Sequence, residues 1–147
     1  MTVLKTDNSS MLNVTARVNG EFLNNYWADG LIIATPTGST AYSLSVGGPI
    51  LTPNSANFVI TPLAPHNLTI RPIVVPDTCE IELTVEGRGT NYLTSLDSRS
   101  FAVEFSTKIK VKKAGFKLKT LQLPEQPFFN TLRSKLMWGM DRRNYNS

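Results

Sequence analysis

The chain has 147 residues, enough for one sizeable core. Hydrophobic residues make up 41% and charged residues 18%, the balance of an ordinary globular protein. No apolar run approaches the roughly 20 residues of a membrane span, and a lone cysteine, Cys79, excludes an internal disulfide framework.

Met1 to Lys5 lacks the charged and apolar regions of a secretory signal, so the expected location is the cytoplasm. The formal charge of +4 suits nucleic acid or a phosphorylated metabolite equally well. Leu12, Val14, Ala16 and Val18 alternate with Asn13, Thr15 and Arg17, the period of a half-buried strand. Asn19-Gly20 tolerates positive φ at both positions and predicts a type I′ turn, with Glu21 to Tyr26 as the returning strand.

Leu31 to Ala34 is an apolar run suited to a buried strand, stopped at Thr35-Pro36. Ser39 to Ser45 predicts one short helix, capped by Ser39 or Thr40 and halted at Gly47-Gly48-Pro49. Further strands are predicted over Asn57 to Thr61, Ile70 to Val75, Glu80 to Glu86, Asn91 to Leu96 and Ser100 to Phe105. The sum is a mainly β fold of two packed sheets, a β-sandwich, with one short helix after the Thr-Pro-Thr-Gly-Ser-Thr-Ala-Tyr loop and a C-terminal helix. That second helix is predicted over Phe128 to Trp138, where Phe128, Phe129, Leu132, Leu136 and Met137 fall on one stripe.

Two basic stretches need separate readings. Lys108, Lys110 and Lys112 alternate with Ile109 and Val111, and Lys117 and Lys119 with Phe116 and Leu118. The change of parity across Lys113-Ala114-Gly115 predicts a turn or bulge between two strands. Lysines spaced this way suit a solvated sheet face that discourages edge pairing. They lack the interleaved aromatics of a single-strand nucleic-acid binder.

The densest run of polar chemistry is Asp29 to Ser45. A buried strand delivers the chain into a loop of hydroxyls and glycine that opens a helix, a setting suited to an anion or a nucleotide edge. Thr37, Ser39 and Thr40 offer donors and acceptors, Tyr42 a stacking face, and Asp29 an acceptor for a ribose hydroxyl or an amide. The same residues also suit a plain helix cap and turn. The lysine of a Walker A loop is missing. His66, the lone histidine, fits a loop position. No His, Cys or carboxylate cluster has metal-site spacing, and Cys79 reads as inert.

Asp29-Gly30-Leu31-Ile32 through Thr35-Pro36-Thr37-Gly38-Ser39-Thr40-Ala41-Tyr42 to Gly47-Gly48-Pro49 resembles the long signature of NAD kinases. Thr61 to Leu68, Arg71 to Pro76 and the ending Phe128 to Leu136 with Trp138-Gly139 are similar to later blocks of bacterial members. The resemblance implies a two-domain enzyme that phosphorylates the 2′-hydroxyl of the NAD adenosine ribose, using ATP or polyphosphate with a divalent cation such as magnesium. It places Asp29 at the nicotinamide end of NAD. Thr37, Thr40, Ala41 and Tyr42 would meet the adenosine or the carboxamide, partly across a subunit boundary of a homodimer or homotetramer. Ser45 would lie near the same pocket and His66 near the ribose.

The family's Gly-Gly-Asp-Gly-Thr motif, with its catalytic base, and its Asn-Glu pair do not occur in the sequence, and Asp97-Ser98-Arg99 stands where many members have Asp-Gly-Gln. Residues 1–147 therefore read as the NAD-binding C-terminal domain without a catalytic residue or bound metal of its own, inactive in isolation, with no membrane or nucleic-acid partner. Two alternatives remain open at this point: a domain of the same superfamily acting on a lipid, and a non-enzymatic basic β module that binds nucleic acid.

Overall fold

A computed structural model describes residues 1–6, 10–117, 121 and 127–139. The chain divides into two compact units, Met1–Lys113 and Ala114–Ser147. The first is a sandwich of two antiparallel sheets.

One sheet is built on the predicted hairpin. Strand β2 (Leu12–Val18) pairs with β3 (Glu21–Ala28) through Asn19 and Gly20, whose φ angles of 52° and 81° are those of the predicted turn. Leu12, Val14 and Ala16 are buried in the core, and Asn13, Thr15 and Arg17 face the other way. β7 (Ile81–Glu86) pairs with the other side of β2, and β10 (Ile109–Val111) with β7. The order is β10-β7-β2-β3.

The second sheet has the order β6-β5-β4-β1-β8-β9. Its members are β6 (Ile73–Pro76), β5 (Asn57–Leu63), β4 (Gly30–Ala34), β1 (Thr2–Leu4), β8 (Asn91–Leu96) and β9 (Arg99–Glu104). The short β1 was not foreseen, yet it sits between β4 and β8 near the middle of the sheet. Gly30 makes its approach possible, because a Cβ there would stand 2.2 Å from the Val3 carbonyl oxygen. Val3, Leu31, Ile33 and Ile60 meet Val14, Leu83 and Val85 of the other sheet in one core. Tyr92 is fully buried there, its ring centroid 5.5 Å from that of Phe105.

Three predicted elements differ from those observed. The helix over Ser39 to Ser45 divides into a 3₁₀ turn, Thr37–Thr40, and one α-helical turn, α1 (Tyr42–Ser45), with a break at Ala41. Neither Ser39 nor Thr40 caps it, because their hydroxyls bond backwards to the carbonyls of Pro36 and Thr37. The strand predicted from Ile70 starts only at Ile73, since Pro72 has no N–H to give a ladder. Phe116 and Lys117 are not in a strand, and Leu118 and Lys119 lie outside the described residues.

In the second unit, α2 (Phe128–Leu136) forms as predicted but ends two residues earlier, at a left-handed Met137 with φ 51°. Of its apolar stripe only Leu132 is buried; Phe129, Leu136 and Met137 are exposed.

Candidate functional site

Strand β4 organises the site from both of its ends. It is buried along its whole length and delivers the chain into the hydroxyl-rich loop at Thr35. Inside that loop the hydroxyls divide into two sets with different work.

The first set holds the loop together. Ser39 is fully buried; its Oγ donates to the Pro36 carbonyl at 2.6 Å and accepts from the Leu51 N–H at 2.9 Å. Ser43, also buried, bonds the Thr61 hydroxyl of β5 at 2.8 Å. Gly48 passes so close that a Cβ would lie 2.2 Å from the Ser43 Oγ and 2.9 Å from the Thr61 Oγ1. Ser39 is therefore spent internally and is not the ligand donor that its place in the loop suggested.

The second set faces outward. Thr37 is exposed, with its Oγ1 3.3 Å from that of Thr35, and Thr40 donates to the Thr37 carbonyl at 3.4 Å. Ser45 is exposed and donates to the Tyr42 carbonyl at 2.8 Å. Tyr42 is 44% exposed, which leaves its ring free to take a planar partner. With one helical turn on each side of Ala41, no macrodipole of consequence builds up, so any anion here would rely on individual N–H groups.

A cavity of about 480 Å³ opens beside this set. Thr35, Gly38, Ala41 and Tyr42 form one wall, and Ser95 and Asp97 of the β8–β9 hairpin form part of another. Asp97 holds the turn with φ 52°. The cavity thus gathers hydroxyl, carboxylate and aromatic groups from segments more than fifty residues apart in sequence, and short β1 joins their two strands.

Asp29 and His66 are elsewhere. Asp29 precedes β4, so it stands at the opposite end of that strand from Thr35, about 20 Å away at the usual strand rise. Its carboxylate is paired with Lys5 at 2.7 Å, and its N–H bonds the Leu63 carbonyl at 3.0 Å. His66 is exposed at the same end, its N–H bonded to the Trp27 carbonyl at 2.8 Å. Of the residues singled out in the sequence, the cavity takes Ala41 and Tyr42 into its walls, with Thr37, Thr40 and Ser45 on the adjoining loop. It does not take Asp29 or His66. Ser95 and Asp97 were missed as site residues, since nothing local in the sequence says that a hairpin tip closes over a loop so far upstream.

Two lysines of the basic stripe are paired with carboxylates. Lys110 pairs with Glu80 at 2.8 Å and Glu82 at 3.5 Å, and Lys113 pairs with Asp77. The hydrogen bond from Lys110 holds the Glu80 carboxyl below its ordinary range, and the same bond raises the Lys110 ammonium. Charges so paired do not form a free track for a phosphate backbone. Among the described residues no three His, Cys, Asp or Glu side chains gather to hold a cation, and no helix is long and apolar enough to cross a membrane.

Comparison with known proteins bears on the same segments. A family profile described as the ATP-NAD kinase C-terminal domain matches residues 1–123. An NAD kinase of Flavobacterium johnsoniae is 56% identical over 144 residues, 98% of this chain and 49% of that protein. One from Cytophaga hutchinsonii is 54% identical over 140 residues, 95% of this chain and 48% of that protein. The chain thus spans about half the length of these curated relatives. Among solved structures, yeast NADH kinase complexed with NADH superimposes with a TM-score of 0.83 at 25% identity, over 95% of this chain and 44% of its own. An Archaeoglobus fulgidus NAD kinase in complex with ATP gives 0.70 at 33% identity, over 78% and 44%.

Proposed function

The chain belongs to the ATP-NAD kinase family through its C-terminal domain, and on that premise we propose that it is the NAD-binding half of an enzyme that phosphorylates the 2′-hydroxyl of the NAD adenosine ribose. One observation carries the reading: the family's most distinctive segment, Thr35 to Tyr42, forms a wall of the cavity that Ser95 and Asp97 help to close. Tyr42 offers a face for a planar ring, and the hydroxyls of Thr37, Thr40 and Ser45 stand on the adjoining loop.

Asp29 and His66 serve the dinucleotide from the other end of β4. Because one protomer holds them so far from Tyr42, Asp29 is read as completing the site of a second protomer in a homodimer or homotetramer. The phosphoryl donor is ATP or polyphosphate. The divalent cation that accompanies it finds no ligand set among the described residues. This chain binds and orients the acceptor; the general base and the donor phosphates lie with residues outside it. Phosphoryl transfer depends on such positioning and charge stabilisation, which separate halves cannot supply alone.

ATP-dependent formation of NADP by this chain, and by the chain extended upstream through its own coding sequence, tests the proposal. Turnover by the extended form alone is the expected result. Turnover by the short chain would place the base within these residues. Silence from both would remove NAD as the substrate and favour a lipid acceptor.

A further inference from the structure

On the outer face of the four-stranded sheet, polar side chains mostly answer one another. The Thr15 hydroxyl donates to the Asn25 amide oxygen at 2.8 Å, and Arg17 donates to the Gly20 carbonyl. Lys110 pairs with Glu80 and Glu82. One row is different. There β3, β2 and β7 set Trp27, Asn13 and Glu86 side by side in register. All three alternate with buried neighbours, so they share the face turned away from the core.

A pocket of about 420 Å³ stands over this row, closed in part by Met11 and by Gly87 and Arg88 of the turn after β7. It shares no lining residue with the Tyr42 cavity. Trp27 is 57% exposed, a large ring left uncovered in the middle of polar neighbours. The Asn13 amide donates to the Glu86 carboxylate at 3.2 Å, while its own oxygen is shielded from solvent and has no partner. A shielded carbonyl oxygen without a donor calls for one from outside the chain. Among the described residues neither Glu86 nor Arg88 belongs to an ion pair.

We propose that this pocket binds a guanine nucleotide. Trp27 supplies a stacking face for a planar base. The groups beside it decide which base. The Asn13 N–H is already spent on Glu86, so the row offers acceptors only: the Asn13 oxygen and the Glu86 carboxylate. Guanine presents two adjacent donors on its base-pairing edge, the ring N1–H and the 2-amino group. Adenine presents one donor beside an acceptor, and that acceptor would face the pocket's own oxygens. A guanidinium has adjacent donors too, but it would bring its charge against Arg88. The same Arg88 suits the phosphate of a nucleotide.

Calorimetry with GMP, AMP and guanosine tests the assignment, on the chain extended upstream through its own coding sequence. GMP should bind about tenfold more tightly than AMP, the worth of a charge-assisted hydrogen bond. Glu86→Gln keeps an acceptor for Asn13 but removes the carboxylate. It should erase that preference and leave NAD affinity unchanged. Trp27→Ala should weaken GMP about tenfold through lost stacking, and Arg88→Gln should bring GMP down to the level of guanosine. All three side chains are exposed, so melting temperatures should stay near the parent's. AMP binding as tightly as GMP, or no heat from GMP, would overturn the proposal. Loss of NAD affinity in step with GMP in Glu86→Gln would overturn it too, by returning the pocket to the dinucleotide.

Discussion

The two sheets of the sandwich are both antiparallel, yet they arise from different sequence signals and bear different loads. In the four-stranded sheet, β2 and β7 alternate buried and half-buried residues, because one face packs on the core and the other meets solvent. In the six-stranded sheet, β4 is buried at every position and β5 at all but its ends. These two strands tolerate little change, and the candidate cavity opens where β4 ends. The sheet that is easiest to read from sequence is the scaffold, and the sheet that is hardest to read carries the site.

The sharpest way to break this contrast is at Gly30. A methyl group there meets the Val3 carbonyl at 2.2 Å, so Gly30→Ala should separate β1 from β4. We expect a loss of about 3 kcal/mol, the upper end of ordinary overpacking costs, in a urea titration. Thr15→Ala, on the solvent face of the other sheet, should stay within about 0.5 kcal/mol. Equal losses from both would erase the distinction between the sheets.

Gly48→Ala and Ser39→Ala probe the loop at the next level. The first crowds Ser43 against Thr61, and the second strands the Leu51 N–H. Each should cost about 1–3 kcal/mol, and each should also weaken NAD binding by displacing the wall that carries Tyr42. Tyr42→Ala should separate the two effects: calorimetry should record at least a tenfold loss of NAD affinity with little change in melting temperature. If affinity follows stability in all three variants, Tyr42 has no role of its own.

The smallest effect belongs to the four-stranded sheet. Lys110 holds the Glu80 carboxyl low, so the pair contributes stability above the unfolded-state value of Glu80. That contribution fades as pH falls through the lowered folded-state value. Lys110→Ala should therefore lower the melting temperature slightly at neutral pH and leave it unchanged in strong acid. Both groups are solvent-exposed, so the difference should shrink further in high salt. A gap that persists in strong acid would point to lost packing by the lysine stem.

Much of this was legible in the amino-acid sequence, for reasons that are local. Alternation marked β2 and β7, Asn19-Gly20 marked the hairpin, and Thr35 to Tyr42 marked both the loop and its family, since turn chemistry and short motifs act through neighbours. Folding alone settled what depends on distance. Three residues show no period, so β1 was invisible until β4 and β8 closed around it and Gly30 let the backbones meet. The hydroxyls of Ser39 and Thr37 look alike in a string, but burial turned the first into a staple and left the second outside. The sequence could propose Asp29 and Tyr42 as partners in one site, while the length of the strand between them decided that a single copy of the chain holds them apart. Composition and motif survive in any conformation; proximity exists only once the sheets have packed.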